Sequence, residues 1–398
     1  MYQKNNRLLK ICIQKQPQML DSKRTFKVDF YQNRILEKYA NKEPNSVTLR
    51  QLTLFGRTAS QSEEKLLKSA NYIREELPIR IAHRIRMFQQ LPFVTGTNPH
   101  IEKVYKLYWE AFETFISVNP ITDLEQNKAF CEIVQKMLNT HAVVIPHLVK
   151  GMQESQVHMN AQECNKFMNE TLQSRISRRV LAEQHIAITK SFEKKKHSNL
   201  MIGVVHSECK ANEAVQKCYK LAGKLFTDAF LTAPPELILD GHTHAKFTYI
   251  PAHIEYILFE LIKNSMRFTA KTHLLDPSLS ELPPIRITIG VGDNQVMFRV
   301  SDQGGGIDKD TFDTLWNFVK NDPPSDLDNQ TELLGKVEEL VPLTSTMGIG
   351  LPMSRVYANY WGGSMSLFSM YGYGTDAYVT IHTGNSLENL SYNDSEDK

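Results

Sequence analysis

The chain has 398 residues, 41% of them hydrophobic, with 46 Lys and Arg against 44 Asp and Glu and a formal net charge of +2. That length and apolar content support two or three globular domains, and the near balance of charge argues against a dedicated nucleic-acid binder, which carries a marked excess of Lys and Arg on one face. Five cysteines without a Cys-x-x-Cys pair fit neither a disulfide framework nor a zinc ribbon, and no stretch reaches the roughly 18 apolar residues of a membrane-spanning helix.

The first twenty residues hold Lys4, Arg7, Lys10 and Lys15 with no acid before Asp21, and Leu8, Leu9, Ile11 and Ile13 lie among them. This is the composition of a mitochondrial transit peptide, although poor in serine, and residues 1–45 are read as such a basic segment; an untidy basic terminus is the bland alternative. Residues 46–195 read as a helical domain, with apolar residues at three- and four-residue spacing. Four helices are predicted there. One enters at Ser62 and ends near Pro78, and one follows the Asn98-Pro99 cap to about Val118. A third runs from Thr122-Asp123 toward Lys150 with a kink at Pro146, and the longest spans about Asn160 to Lys190. Packing four such helices as a bundle buries their apolar stripes.

Glu193-Lys194-Lys195-Lys196-His197-Ser198-Asn199 marks a domain boundary by its charge. Residues 200–383 then alternate: a strand at Leu200 to Val205, a helix at about Asn212 to Phe230, and strands near Leu237 to Leu239 and Phe247 to Tyr249. A helix containing Glu260 follows. Two strands joined at Gly292-Asp293-Asn294, Ile285 to Val291 and Gln295 to Ser301, precede a final pair at Ser364 to Ser369 and Thr375 to Ile381. The expected fold class is α+β multidomain, a four-helix bundle followed by an α/β sandwich with a mixed sheet, and the polar residues 384–398 read as a disordered tail.

Chemistry concentrates at three places. On the Glu260 helix, Glu260, Asn264 and Arg267 share one face by their spacing, while Ile254, Leu258, Leu261 and Ile262 form the packing stripe. An amide oxygen at Asn264 suits Mg²⁺, which takes few protein ligands and keeps phosphates and waters, and Glu260 one turn earlier can accept a proton from an attacking hydroxyl. Asp302 begins Asp302-Gln303-Gly304-Gly305-Gly306, a carboxylate suited to an adenine amine beside glycines that let a ring approach backbone. Gly348-Ile349-Gly350-Leu351-Pro352 opens a helix whose N-terminus can cradle phosphates, and the loop Asn321 to Met347 between them has the length of an active-site lid. Each motif alone has a bland alternative, respectively a solvated helix face, a turn cap and ordinary turn chemistry. Neither a Gly-x-x-x-x-Gly-Lys-Ser/Thr loop nor the Asp-Phe-Gly set of ordinary protein kinases is present.

In this order, Glu-x-x-x-Asn, Asp-x-Gly-Gly-Gly, Gly-x-Gly-Leu-Pro and Gly374-Thr375-Asp376-Ala377 resemble the Bergerat-fold (GHKL) ATPases. Within them the chain is similar to the mitochondrial 2-oxoacid dehydrogenase kinases, through Leu66-Leu67-Lys68-Ser69-Ala70, Glu76-Leu77-Pro78-Ile79-Arg80, Leu91-Pro92-Phe93 and Ser174-Arg175-Ile176-Ser177-Arg178-Arg179. The resemblance implies an ATP- and Mg²⁺-dependent protein serine kinase of the mitochondrial matrix. Its target would be the decarboxylase component of a 2-oxoacid dehydrogenase complex, pyruvate ahead of branched-chain, and the lipoyl-bearing acyltransferase core would be a partner. By the same resemblance Glu260 is the base and Asn264 the Mg²⁺ ligand, while Arg267, Asp302, Gly304, Gly306, Gly348, Gly350, Leu351 and Thr375 complete the ATP pocket. Among the regulatory residues, His141 falls where the family has its conserved-box histidine and Arg175 with Arg179 where its 2-oxoacid regulator binds, while Leu52 and Phe55 fall at the lipoyl-domain pocket.

Arg178 stands where the family commonly has an apolar residue, and the tail lacks an Asp-Trp motif, so a homodimer would rest on the ATPase-domain sheet. Two competing readings remain. A sensor histidine kinase needs a phosphoacceptor histidine followed by an acid, which His141-Ala142-Val143-Val144 lacks. A non-catalytic regulator is opposed by the intact Glu260, Asn264, Asp302 and glycine turns.

Overall fold

The computed structural model describes residues 34–195, 200–273, 281–319, 348–384 and 386–390. The expectations for a transit peptide before residue 34, for a lid at 321–347 and for the tail beyond 390 lie outside the described residues. The described chain divides into two compact units, 34–46 with 51–204 and Leu390, and 47–50 with 205–389.

The first unit is helical. Its elements are α1 (Arg34–Ala40), α2 (Leu49–Ala59, whose first two residues belong to the second unit), α3 (Glu63–Gln89), α4 (Phe93–Gly96) and α5 (Pro99–Ile116). Then come α6 (Leu124–Thr140), a 3₁₀ turn (His141–Val143), α7 (Val144–Glu154) and α8 (Ala161–Glu193). The caps are local: Ser62, Asn98, Asp123 and Asn160 each accept a backbone N–H of the first turn, and Asn160 with Glu163 completes a capping box. Helix α3 packs on α5, α6 and α8, burying Leu66, Ile85, Val104, Tyr108, Phe112, Phe130 and Leu172.

Tertiary packing overrides sequence signals at several points. Helix α3 runs straight through Pro78 instead of stopping there. A mid-helix proline costs about 3 kcal/mol, but Leu77, Ile79 and Ile81 are buried around it and the Glu76–Arg80 ion pair, 2.9 Å, spans it on the helix. The helix expected to reach Lys150 breaks before its proline, at His141–Val143, so that Pro146 falls in the first turn of α7, where a missing N–H costs nothing. Residues 34–45, read as part of a basic leader, include α1, which buries Leu36 and Ala40. The strand expected over 200–205 is two, β1 (Met201–Ile202) and β2 (Val205–Lys210), because Gly203 turns the chain at φ +64°. There Gln184 Oε1 accepts the Val204 N–H at 2.7 Å.

In the second unit, α9 (Ala211–Phe230), β3 (Leu237–Gly241), β4 (Lys246–Tyr249) and α10 (Pro251–His273) follow β2. Next are β5 (Ile285–Gly292), β6 (Gln295–Asp302), α11 (Lys309–Thr314), α12 (Gly350–Tyr360), β7 (Ser364–Met370) and β8 (Gly374–His382). The main sheet has the order β3-β5-β6-β8-β7, with β3 and β5 parallel and the other pairs antiparallel, so it is mixed as expected. Alternation places Ile285, Ile287, Ile289, Val296, Phe298, Val300, Val379 and Ile381 inside, and α10 packs against β5 and β6 on one side of it and against α9 and α12. Within the segment read as a disordered tail, residues 386–390 are packed. Glu388, 3% exposed, accepts the Val47 N–H at 3.0 Å and the Tyr360 hydroxyl, and this ties 47–50 to the second unit.

Candidate functional site

Helix α10 organises the site in the second unit. Its apolar stripe, Ile254, Leu258, Leu261 and Ile262, is buried against neighbouring elements, which turns Glu260, Asn264 and Arg267 to the other side. Asn264 and Arg267 are half-buried. Glu260 is 1% exposed and pairs through Oε2 with Lys263 Nζ at 2.8 Å, while its Oε1 has no hydrogen-bond partner among the described residues. A buried carboxylate oxygen without a donor is costly in a finished fold, and it is the atom expected of a group that waits for a proton.

The end of β6 delivers Asp302 to the same helix. Oδ2 accepts the Ser265 hydroxyl at 2.9 Å, and Oδ1 accepts the Gly304 N–H at 2.9 Å and the Thr375 N–H at 3.3 Å. One carboxylate thereby joins α10, the glycine turn and the start of β8. Burial pushes its pKa upward, against the lowering effect of these three donors. The glycine turn is pinned further, as Thr272 Oγ1 donates to the Gly304 carbonyl at 2.9 Å and a Cβ on Gly304 would lie 2.8 Å from Phe268 Cβ. Gly306 sits at φ +71° and any Cβ there would strike the Met370 carbonyl, so this position tolerates glycine alone.

The second glycine turn reaches Glu260 directly: a Cβ on Gly350 would collide with Glu260 Oε2. Helix α12 begins at Gly350, and its N-cap residue Ile349 offers no side-chain acceptor, so the first N–H groups of the helix are left for another acceptor. An uncapped helix N-terminus favours an anion, and phosphate is the usual one. The structure thus brings Glu260, Asp302, Gly304, Gly350 and Thr375 around one helix, and sets Gly306 against Met370 at the end of β7. Lys263 and Ser265 belong to this constellation and went unread, because their roles are partnerships across space: Ser265 is an ordinary helix residue until Asp302 is brought to it. The residue types fit a nucleoside triphosphate, with a carboxylate acceptor at one end and helix N–H groups at the other.

In the first unit, His141, Arg175 and Arg179 line one cavity of about 50 Å³, together with Arg178 and the apolar walls Leu77, Ile81, Phe115, Val134 and Leu138. Burial, then Arg178, holds His141 down to about 4, so it is neutral at ordinary pH; its Nε2 lies 3.1 Å from the Leu107 carbonyl. Arg179 pairs with Glu183. The two docking candidates differ: Leu52 is buried, its carbonyl accepting from Gln184 at 3.0 Å, and Phe55 is exposed. Cys131, Cys164, Cys209 and Cys218 are free thiols, and burial pushes Cys218 up to about 12. No described helix is long and apolar enough to cross a membrane.

Comparison with known proteins agrees with this geometry. Residues 46–206 match the family described as mitochondrial branched-chain alpha-ketoacid dehydrogenase kinase, and residues 250–385 match the histidine kinase-, DNA gyrase B- and HSP90-like ATPase family. The chain is 29% identical to [pyruvate dehydrogenase (acetyl-transferring)] kinase 2, mitochondrial, of Saccharomyces cerevisiae, over 90% of this chain and 86% of that protein. It is 30% identical to the mitochondrial [pyruvate dehydrogenase (acetyl-transferring)] kinase of Arabidopsis thaliana, over 89% and 95%. Isozyme 4 of the mitochondrial kinase from Mus musculus is also 30% identical, over 90% and 86%. With similarity sustained along nearly the whole of both chains, and with the ATPase match covering every motif gathered around α10, this chain belongs to the mitochondrial 2-oxoacid dehydrogenase kinase family.

Proposed function

We propose that this chain is an ATP-dependent protein serine kinase that phosphorylates the decarboxylase component of a mitochondrial 2-oxoacid dehydrogenase complex, the pyruvate complex first, and works in the matrix. The observation that carries the reading is Glu260, whose buried Oε1 has no hydrogen-bond partner among the described residues and whose carboxylate lies against the turn that opens α12. Glu260 Oε1 accepts the proton of the substrate serine hydroxyl, and the Lys263 ion pair holds the carboxylate in place. Asp302 accepts the adenine amine, with Gly304, Gly306 and Thr375 shaping that end; Arg267, Gly348, Gly350 and Leu351 surround the phosphates. Asn264 would hold Mg²⁺, which would supply positive charge to offset that on the phosphoryl oxygens. The residues of the chain supply position and electrostatics, which is most of what phosphoryl transfer requires.

The bundle cavity serves as a regulatory site, where Arg175 and Arg179 meet a carboxylate beside neutral His141. Leu52 and Phe55 mark the face for the lipoyl-bearing core, with Phe55 the side chain free to make contact. A homodimer would pair through the sheet of the second unit.

The test is incubation of the full chain with γ-labelled ATP and each purified complex in turn, with the labelled residue mapped. Label on a serine of the pyruvate decarboxylase component is expected. Label confined to the branched-chain component moves the target to that complex, and an active site that labels neither overturns the proposal. The Glu260→Gln variant should still bind ADP and lose transfer by roughly a hundredfold or more.

A further inference from the structure

Three arginines, Arg175, Arg178 and Arg179, line the bundle cavity. Arg178 is 8% exposed, and its two acceptors among the described residues are neutral: Nε donates to the Ser174 carbonyl at 3.1 Å and Nη2 to the Tyr108 hydroxyl at 2.8 Å. The guanidinium also lies 4.4 Å from the Tyr108 ring centroid, a cation–π contact that offsets part of the cost of desolvating a full charge. Arg179 differs in having Glu183 as an ion-pair partner. Among the described residues no aspartate or glutamate lines the cavity, and Arg175 and Arg178, three apart on α8, face it together. Three N–H groups of Arg178 remain beyond the two already used.

Resting on the reading of this cavity as a regulatory site, we propose that its ligand is a short dicarboxylate, one carboxylate held by Arg175 and Arg179 and the second by Arg178. A monocarboxylate would leave the Arg178 charge buried without a counter-ion. The apolar walls Leu77, Ile81, Phe115 and Val134 suit the carbons between the two ends, and a cavity of about 50 Å³ keeps that spacer short.

The experiment is calorimetric titration of the full chain, with saturating ADP, by succinate and 2-oxoglutarate and, separately, by acetate and pyruvate. Dicarboxylates are expected to bind roughly tenfold or more tightly than monocarboxylates, the worth of one added charged hydrogen-bonded contact. Arg178→Leu should erase that preference while changing pyruvate affinity by less than about threefold, and Arg178→Gln, which retains donors toward Tyr108 and Ser174, should do the same in a chain whose thermal unfolding is unchanged. Pyruvate binding as tightly as succinate, or equal losses of both classes in the Arg178 variants, overturns the dicarboxylate assignment. Binding of neither class, or binding indifferent to Arg175→Ala, overturns the regulatory-site reading itself.

Discussion

Glu260 and Gly350 lie in contact although 90 residues apart: the carboxylate of the first occupies the space where the second would carry a side chain. The buried acid on α10 and the turn that opens α12 are thereby locked to each other. Gly350→Ala should push Glu260 off its position by about the width of a methyl group and lower phosphoryl transfer roughly a hundredfold. Initial rates with saturating substrate protein test this, and an unchanged rate would show that the contact has no bearing on transfer.

Asp302 joins three elements through Ser265, Gly304 and Thr375. Asp302→Asn keeps the shape but turns one acceptor into a donor facing a donor, so ATP affinity should fall by about 1–3 kcal/mol, or roughly tenfold to a hundredfold. Ser265→Ala removes a single neutral donor and should have the smaller effect. Fluorescent-nucleotide displacement distinguishes them, and equal affinities in the wild type and Asp302→Asn would remove Asp302 from the nucleotide pocket.

The Glu76–Arg80 pair is 1% and 0% exposed, and Glu76 also accepts from the Asn45 N–H at 2.8 Å and from its side-chain amide at 2.9 Å. Glu76→Ala takes the carboxylate away from the buried Arg80 guanidinium and should cost about 3–5 kcal/mol in urea unfolding. A loss below about 1 kcal/mol would show that the charge finds water once its partner is gone.

His185 is buried between Ser69 Oγ, 3.0 Å from Nδ1, and Asn127 Oδ1, 2.9 Å from Nε2, and burial holds it at about 4, below the usual 6.5. Above pH 6.5 the ring is neutral in both states and the stability is fully present. As pH falls from 6.5 toward 4 the unfolded chain takes up a proton that the folded chain refuses, so stability is lost across that window, by about 3 kcal/mol in all. His141, also held down to about 4, adds in the same direction. Urea midpoints measured between pH 7.5 and 4.5 should fall with acid, less steeply in His185→Gln. An identical pH slope in that variant would exclude His185 as a source.

Much of the second unit was readable because its signals are local. Alternating apolar residues from Ile285 to Ser301, with Gly292-Asp293-Asn294 between two strands, describe a hairpin, and the structure forms it in register from Arg286–Ser301 to Gly292–Gln295. The polar face of α10 was likewise visible from spacing. Pro78 misled because its local cost is outweighed by burial on every side, a tertiary quantity, and the 141–143 break misled because a helix can restart to put Pro146 in its first turn.

Periodicity, caps and glycine motifs by themselves determined the helical first unit, the mixed sheet and the chemical character of α10, since each depends on residues near one another along the chain. Only the tertiary structure decided which distant groups meet. It set Ser265 under Asp302, Lys263 on a fully buried Glu260, and Arg178 against Tyr108 in a cavity that no described carboxylate lines. Burial and partnership are properties of the packed chain, so the charge balance of either site is settled only when the elements come together.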